Sequence, residues 1–434
     1  MKRLALVFVI FVLSFGGFAQ DTLHVRRLVD TLSSQSMYGR GYVNEGDKKA
    51  AKFIANEFQK TNSKTFGSSY FQPVSFAVNT FPQNMEVKID DSTLTPFYDY
   101  KVTASSSGST GVFEIVEIPI KQLKSLSKLK KLLEVNNFSN KFVYLDVTKI
   151  SKKKQKRKSY KTAMEIIQAV PYQDIFGAKG VIIANDKLEA QGMWSKEPLQ
   201  STIIRVLRSK LAKNPKTIKV NIENKFLAKY TSQNVISYIE GTTQPDTFIV
   251  FSGHYDHLGC LGDKTIFPGA NDNASGIAFM IDLANYYSKP ENKPYYSIAF
   301  MAFTGEEVRI LGSKYYVENP LFPLSKIKFL FNLDMVGTGD EGITLVNATA
   351  NKSVYQQIDT LNKINKYLPK VDSRGESENS DHHYFHKAGV PAVFIYGTGK
   401  SGPYHHPEDN SANLTLKGYI PIFKLLTTFI NTYR

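Results

Sequence analysis

Apolar and amphipathic segments alternate along the second half of this chain. Several short segments are apolar nearly throughout, as strands buried on both faces of a sheet are; they span residues 234–239, 247–252, 297–303, 327–333 and 392–396. Residues 277–287 and 419–433 carry apolar side chains at helical spacing. This alternation predicts an α/β fold with a mixed, largely parallel central sheet and helices on both faces.

The first half of the chain divides into two parts. Residues 45–60 have the pattern of an amphipathic helix, and residues 71–87 alternate as strands do. From about residue 100, serine-rich and lysine-rich stretches separate new strand patterns, of which residues 180–185 are the clearest. We predict a signal peptide at 1–19, an N-terminal part of the main domain at 20–100, an inserted α+β domain at 101–229, and the main catalytic domain at 230–434.

Residues 1–19 have the pattern of a secretory signal peptide. Lys2 and Arg3 precede an apolar core at 4–15, and a small-x-small site ends at Ala19. The core is shorter than the ~20 residues that a membrane span needs. We therefore expect a secreted or periplasmic protein with no stable membrane anchor. Because Cys260 is the single cysteine, we expect no disulfide within the chain.

The formal net charge is +15, and the basic residues are concentrated at 121–131 and 149–161. No aromatic residues interleave the lysine run at 151–158 to stack on bases. We therefore predict no nucleic-acid partner and interpret the run as a solvated loop. Attraction to an acidic cell surface is the remaining alternative. The inserted segment has no cluster of histidines and carboxylates, so we expect it to shield the site, sort substrates or bind a partner.

Ionisable residues follow the carboxyl ends of the predicted strands, where ligands gather in sheets of this kind. They are His254, Asp256, Asp272, Glu306, Glu307, Asp334 and His405. Five carboxylates held together would repel one another without cations. Imidazole and carboxylate ligands without a thiolate suit zinc, and suit cobalt or manganese less well.

Two ions explain this set better than one, because each needs about three protein ligands and an open position. With Asp272 shared, His254 and Asp334 complete one site. Glu307 and His405 complete the other. We therefore expect two Zn²⁺ per chain.

Three further residues have candidate catalytic roles. Asp256 is expected to orient the imidazole two residues before it, with a plain turn aspartate as the alternative. Glu306 is expected to act as general base, taking a proton from a water that bridges the two ions and passing it to the leaving amine. Tyr404 is a candidate oxyanion donor, with a packed aromatic side chain as the alternative.

The motifs stand in the order found in the co-catalytic zinc exopeptidases, which include secreted bacterial leucyl aminopeptidases, aminopeptidase Y and glutamate carboxypeptidase. The resembling segments lie at 254–259, 271–276, 305–307, 332–337, 380–382 and 404–405. Residues 100–229 resemble the protease-associated insert of some members. The resemblance implies the ligand and base roles given above, and it places Asp381 near the substrate.

The resemblance implies a secreted zinc aminopeptidase that hydrolyses N-terminal residues from peptide substrates. The alternatives are a carboxypeptidase or dipeptidase on the same scaffold, with Arg309 or Arg374 holding a carboxylate, a glutaminyl cyclase with one zinc, or a non-catalytic binding protein. The remaining histidines near the motifs are interpreted as rim or structural residues; they are His257, His382, His383 and His386. The Tyr-His step favours His405 over His406 as the ligand.

Overall fold

The structure is a computed structural model that describes residues 22–188, 192–262, 264–400 and 402–434. The predicted signal peptide at 1–19 lies outside the described residues. None of the helices in these ranges combines the length and apolarity that crossing a membrane requires.

The described strands, numbered in chain order, form two large sheets and a small hairpin. They are β1 Phe71–Thr80, β2 Met85–Ile89, β3 Ser92–Leu94, β4 Tyr100–Val102, β5 Ser109–Glu117, β6 Lys141–Asp146, β7 Gly180–Asn185, β8 Thr202–Leu207, β9 Thr217–Ile222, β10 Lys225–Ile239, β11 Gln244–His254, β12 Cys260–Leu261, β13 Thr265–Ile266, β14 Tyr296–Phe303, β15 Ile327–Leu333, β16 Gly342–Val346, β17 Val371–Ser373 and β18 Ala392–Thr398.

The described helices fall mostly between strands. They are α1 Thr22–Leu32, α2 Gly46–Lys60, α3 Leu126–Val135, α4 Lys152–Gln155, α5 Lys161–Ala169, α6 Ser275–Ser288, α7 Leu311–Glu318, α8 Lys352–Asn365, α9 His382–Lys387 and α10 Tyr419–Thr432.

The first sheet has the strand order β1-β10-β14-β11-β15-β18-β16-β17. Its centre, β14-β11-β15-β18, is parallel, while β10 joins β14 and β16 joins β18 in antiparallel fashion. Strand β14 is buried along its whole length, which explains its continuous apolar run. The predicted mixed, largely parallel sheet is confirmed.

Helices cover both faces of this sheet. Alternate residues of β14 point to opposite sides: Phe300 packs in a core with residues of α1, α2, α6, α8 and α10, and Met301 packs in a second core with residues of α7 and α9. The central strands are therefore buried on both faces, so their carboxyl ends open only at one edge of the sheet.

The second sheet has the order β3-β2-β9-β5-β6-β7-β8-β4, with a parallel centre β5-β6-β7-β8. Helices α3 and α5 pack on one face of it. Its strands run from Met85 to Ile222, so it begins before residue 101 and ends before residue 229.

Candidate metal centre

The predicted ligands converge at one edge of the first sheet because their strands are neighbours. His254 ends β11, and Asp334 directly follows β15. Glu306 and Glu307 follow β14, and the loop after β18 carries His405. These four parallel strands are adjacent, so their carboxyl ends present the side chains to one volume.

Asp272 reaches the same volume from the irregular segment Ala270–Ala274, which precedes α6. Gly269 starts this segment with φ 57° and ψ 52°. A side chain there would collide with the Asp272 carbonyl and the His257 ring, so only glycine allows the turn. The peptide bond between Asp272 and Asn273 is cis.

The side chain of Asn273 ties this segment to the loop of Asp334. Its amide nitrogen donates to the Leu333 carbonyl at 2.9 Å, and its oxygen accepts from the backbone N–H groups of Gly276 and Met335. Asn273 is fully buried. Residues 273–275, Asn-Ala-Ser, match the acceptor pattern for N-glycosylation. Because Asn273 lies in the packed core, it is not accessible for attachment of a sugar.

Two groups of donors share Asp272. In the first, His254 Nε2 lies 3.3 Å from Asp272 Oδ1 and 3.4 Å from Asp334 Oδ1. In the second, His405 Nε2 lies 3.2 Å from both Asp272 Oδ2 and Glu307 Oε2. The two oxygens of one carboxylate thus face two different donor groups, as the shared-ligand hypothesis requires.

These spacings fit zinc. Ligand atoms that bind a tetrahedral Zn²⁺ at ~2.0–2.1 Å lie about 3.3 Å from one another. Asp272 Oδ2 and His405 Nδ1 are buried and have no hydrogen-bond partner among the described residues. Buried polar atoms without partners are uncommon, and a cation would compensate the carboxylates. The described donors therefore fit the metal that the sequence predicts.

The tautomer of His254 is set by the backbone. Its Nδ1 lies 3.0 Å from the Asp256 carbonyl oxygen, so Nδ1 donates its proton there and leaves the Nε2 lone pair for a metal. The Asp256 carboxylate lies farther away, at 3.8 Å from Nδ1. It accepts instead from the backbone N–H groups of Glu306 and Glu307 and from the Tyr42 hydroxyl. Asp256 thus fixes the loop that carries both glutamates.

Glu306 is half-buried, whereas Glu307 is buried. Burial raises the pKa of the Glu306 carboxyl well above its usual value, and the negative charges of Glu307 and Asp334 act in the same direction. His254 opposes the shift without cancelling it. The Glu306 carboxyl therefore takes up a proton more readily than an exposed glutamate does.

The imidazoles and Asp272 have opposite shifts. Burial lowers the pKa of His405, but Glu307 and Asp272 outweigh it and raise the pKa to about 11. The pKa of His254 is also raised, since Asp334 and Glu306 outweigh burial. Burial raises the pKa of Asp272, but the imidazoles of His257, His254 and His405 lower it well below its usual value.

Tyr404 and His406 flank the second donor group. The Tyr404 ring stacks on the His405 ring with centroids 3.8 Å apart, and the side chain is 55% exposed. Partial burial and the nearby carboxylates raise the pKa of its hydroxyl. His406 packs edge-on against Phe97 at 4.8 Å. His405 is thus the member of the pair that meets the donor cluster, as the Tyr-His step predicts.

The structure also brings in His257, which the sequence analysis interpreted as a rim or structural residue. It is fully buried, and its Nδ1 lies 2.7 Å from Glu307 Oε1 and 3.8 Å from Asp272 Oδ2. Its position three residues after His254, an expected ligand, was the available signal. His382 is buried but is not part of either donor group, and His386 faces Glu376.

Two residues of the 380–382 segment are buried next to the donor groups. Ser380 donates to Asp334 Oδ2 at 2.8 Å and accepts from the Asn332 amide. Asp381 is fully buried and accepts from Ser313. Burial raises the pKa of Asp381 to about 7. Asp381 has no exposed surface, so it does not line an open pocket here.

Solved structures with the same fold cover nearly the whole chain. An aminopeptidase from Aneurinibacillus sp. strain AM-1 matches 95% of this chain and 93% of its own with a TM-score of 0.61 at 20% identity. A zinc aminopeptidase from Bacillus subtilis matches 94% of both chains with a TM-score of 0.64 at 19% identity. A peptidase M28 precursor from Shewanella amazonensis SB2B matches 95% and 93% with a TM-score of 0.67 at 18% identity. These matches confirm the fold.

The relatives found by sequence align with a smaller share of this chain than the solved structures do. Aminopeptidase YwaD of Bacillus subtilis (strain 168) is 31% identical over 253 residues, which are 55% of this chain and 53% of the relative. A probable zinc metalloprotease of Pyrenophora tritici-repentis is 34% identical over 116 residues, 26% of this chain and 24% of the relative. The chain therefore spans about half the length of the first relative and a quarter of the second.

A family match falls on the part of the chain that carries the donor groups. Residues 234–430 match peptidase family M28. These residues include both donor groups described above. Residues 234–430 are therefore similar to peptidase family M28, in agreement with the resemblance to the co-catalytic zinc exopeptidases.

Proposed function

We propose that this protein is a zinc-dependent aminopeptidase that removes N-terminal residues from peptides. The observation that carries the proposal is the pair of donor groups that share Asp272. The similarity to aminopeptidase YwaD over 253 residues supports the same activity. Peptide substrates follow from this proposal, and nucleic acid has no role in it.

Two ions are held in this proposal. His254 and Asp334 would hold one ion, Glu307 and His405 would hold the other, and Asp272 would be shared by both. When bound, zinc ions supply a Lewis acid that polarises a carbonyl and lowers the pKa of water from 15.7 toward about 7. All five ligands are buried, which strengthens the interaction between the donors and a cation.

Glu306 is the proton carrier. We assign to it the transfer of a proton from the attacking water to the leaving amine, and the raised pKa of its carboxyl supports this role. Asp256 keeps Glu306 in place through the backbone N–H of Glu306 at 3.1 Å. The hydroxyl of Tyr404, a residue that is 55% exposed, is the donor we assign to the developing oxyanion. These roles depend on side chains that face one volume at the edge of the sheet.

We assign the second sheet to an inserted domain that covers the site. Its boundaries would be near 85 and 222, where its strands begin and end. The backbone N–H of Met193 bonds the Glu307 carbonyl at 3.0 Å, so the insert touches the metal loop directly. An apolar cavity beside His405 lies between the two sheets and is lined by Phe81, Phe97 and Phe267. We propose that it receives an apolar substrate side chain.

Export completes the proposal. Residues 1–19 have the signal-peptide pattern described above, which supports secretion or passage to a periplasm. Zinc coordination by imidazole and carboxylate is independent of thiol redox state, as an oxidising compartment requires.

The test is hydrolysis of aminoacyl arylamides by the zinc-loaded protein, with elemental analysis of its zinc content. We expect two zinc ions per chain and release of the free arylamine. Glu306→Gln should lower kcat by about 10²–10⁴-fold while both ions remain bound. The matched control is Glu318→Gln on the exposed side of α7, which should leave kcat unchanged.

Other outcomes distinguish the alternatives. Cleavage of N-blocked dipeptides instead of arylamides would indicate a carboxypeptidase or dipeptidase. One zinc per chain with cyclisation of N-terminal glutamine would indicate a glutaminyl cyclase. No turnover on a broad panel by protein with both ions bound would contradict the proposed activity.

A further inference from the structure

We infer that Arg40 and Asp409 are positioning residues that together clamp the backbone of the Asp272 loop. The inference rests on the proposed function, because it concerns how the shared ligand is held. Neither residue was a predicted site residue. Both come from segments far from Asp272 in the sequence, one near each end of the described chain.

Arg40 is fully buried, and each of its five N–H donors meets a backbone carbonyl. Nε donates to Tyr255, and Nη1 donates to Leu32 and Pro268, at 2.6–2.9 Å. Nη2 donates to Gly269 at 2.7 Å and to Asp272 at 3.1 Å. Three of these carbonyls thus belong to the loop that presents the shared carboxylate.

Glycines on both sides let Arg40 enter this position. A side chain at Gly39 would collide with the Gly259 and Phe267 carbonyls, and one at Gly41 would collide with the Gly259 backbone. Gly39 has φ 59° and Arg40 has φ 49°. The Gly-Arg-Gly segment at 39–41 therefore does more than turn the chain. It packs against the loop after β11 so that the guanidinium can reach 268–272.

Asp409 binds backbone N–H groups of the same loop, whereas Arg40 binds its carbonyl groups. Asp409 is 2% exposed, and its Oδ1 and Oδ2 accept from the backbone N–H groups of Asn271 at 2.9 Å and Asp272 at 3.0 Å. Its own carbonyl accepts from the Ala270 N–H at 2.9 Å. Asp409 lies four residues after His405, so the same loop supplies a ligand and a support for the shared ligand.

The two side chains divide the hydrogen-bonding groups of one short loop between them. The guanidinium takes its carbonyls, and the carboxylate takes its N–H groups. Hydrogen bonds to charged groups are stronger than neutral ones and fix direction. The clamp therefore sets where the Asp272 carboxylate points, and this direction decides whether its two oxygens can serve two ions.

The experiment measures zinc affinity of metal-free protein by competition with a chromogenic chelator, together with kcat, KM and thermal unfolding. The variants are Arg40→Met, Arg40→Lys and Asp409→Asn. The matched control is Arg26→Met, because Arg26 also donates to two backbone carbonyls, those of Ser411 and Leu414, outside the 268–272 loop.

We expect Arg40→Met and Asp409→Asn to lower zinc affinity by about 10–100-fold, the range for residues that support metal ligands. Arg40→Lys keeps the charge and part of the bonding, so it should recover part of the affinity. At saturating zinc, kcat should fall more than KM rises, since both side chains are buried within the protein. Arg26→Met should leave zinc affinity unchanged within about twofold.

The clamp is overturned if folded Arg40→Met and Asp409→Asn bind zinc as tightly as the unmodified protein. It is also overturned if Arg26→Met loses as much affinity, since the effect then follows general stability. If Arg40→Met does not fold, Asp409→Asn alone decides, because it keeps the shape of the side chain. If the unmodified protein binds no zinc, the proposed function and the clamp are both overturned. If the unmodified protein turns over substrate and the variants have the same zinc affinity and kcat as it does, only the clamp is overturned.

Discussion

Each of the two large sheets has four adjacent parallel strands at its centre, β14-β11-β15-β18 in the first and β5-β6-β7-β8 in the second. Each also has a buried carboxylate near the carboxyl ends of these strands, Asp272 at the first and Asp146 at the end of β6 in the second. The two carboxylates differ in what surrounds them.

Asp146 is completely paired by the fold. It accepts from the Thr148 N–H and hydroxyl, from the Tyr144 hydroxyl, and from Arg208 Nε at 2.9 Å. Burial raises its pKa, but these bonds outweigh burial and lower it. Residues 85–222 contain no histidine. The described residues of the second sheet thus place a buried carboxylate at a strand end without gathering a group of metal donors around it.

Asp272 is surrounded by other donors instead. Its Oδ2 has no hydrogen-bond partner among the described residues, and three imidazoles lie around the carboxylate. Several acidic and imidazole groups that share one buried volume need a cation to be stable together. The two carboxylates thus differ in their neighbours: Asp146 accepts hydrogen bonds from the surrounding fold, whereas Asp272 lies among other groups that can bind a metal. This difference can be tested by removing the two carboxylates in parallel.

The largest expected effect comes from Asp272→Asn. Removing the shared charge should release both ions and lower kcat/KM by more than about 10³-fold, since a metal contributes several kcal/mol to catalysis. Asp146→Asn should lower the free energy of unfolding by about 1–3 kcal/mol and leave kcat/KM nearly unchanged. Elemental analysis, arylamide hydrolysis and thermal unfolding measure these effects. Full zinc content in Asp272→Asn would contradict the shared-ligand hypothesis.

The sequence predicted the central strands well because a strand buried on both faces is a continuous apolar run. The predicted strand 327–333 coincides with β15, and the predicted strand 180–185 coincides with β7. Short elements gave no periodic signal: β17 has three residues and α9 has six.

The sequence predicted the expected metal ligands of the site but not the residues that hold those ligands in place. The structure brings the five expected ligands together in two groups, and their role as ligands stays a prediction. The supports Arg40 and Asp409 bond backbone atoms of a distant loop. Such contacts leave no spacing or periodicity in the sequence, because the acceptor or donor is present at every residue.

A smaller effect should come from His257→Gln. This substitution tests whether His257, which contacts Glu307 at the edge of the first sheet, contributes more to zinc binding than a histidine outside the donor groups. His257 Nδ1 contacts Glu307 Oε1 at 2.7 Å, so its loss should lower zinc affinity by about 10-fold. The matched control is His386→Gln, because His386 faces Glu376 at 3.6 Å outside both donor groups. Equal zinc affinities in the two variants would show that His257 does not support Glu307.

The smallest effect concerns protons and again separates the two sheets. In metal-free protein the pKa of His405 is raised to about 11 and that of His254 is raised as well. We therefore expect each imidazole to hold a second ring proton, and so a positive charge, at pH 7. These protons stabilise the metal-free fold fully below the unfolded histidine pKa of about 6.5, and the stabilisation is lost as pH rises through the folded values. Asp146, with a lowered pKa, stays deprotonated over the same range.

Zinc must displace these protons, because only a neutral imidazole binds a metal. We therefore expect zinc binding at pH 7 to release about two protons per chain and the apparent zinc affinity to rise with pH. Calorimetry in buffers of different ionisation enthalpy measures the release directly. Asp146→Asn should leave the number of protons unchanged, whereas His405→Ala should reduce it by about one. A binding enthalpy that is independent of the buffer would mean that the imidazoles are already neutral in the metal-free protein, and it would contradict the inference that the neighbouring carboxylates raise their pKa values.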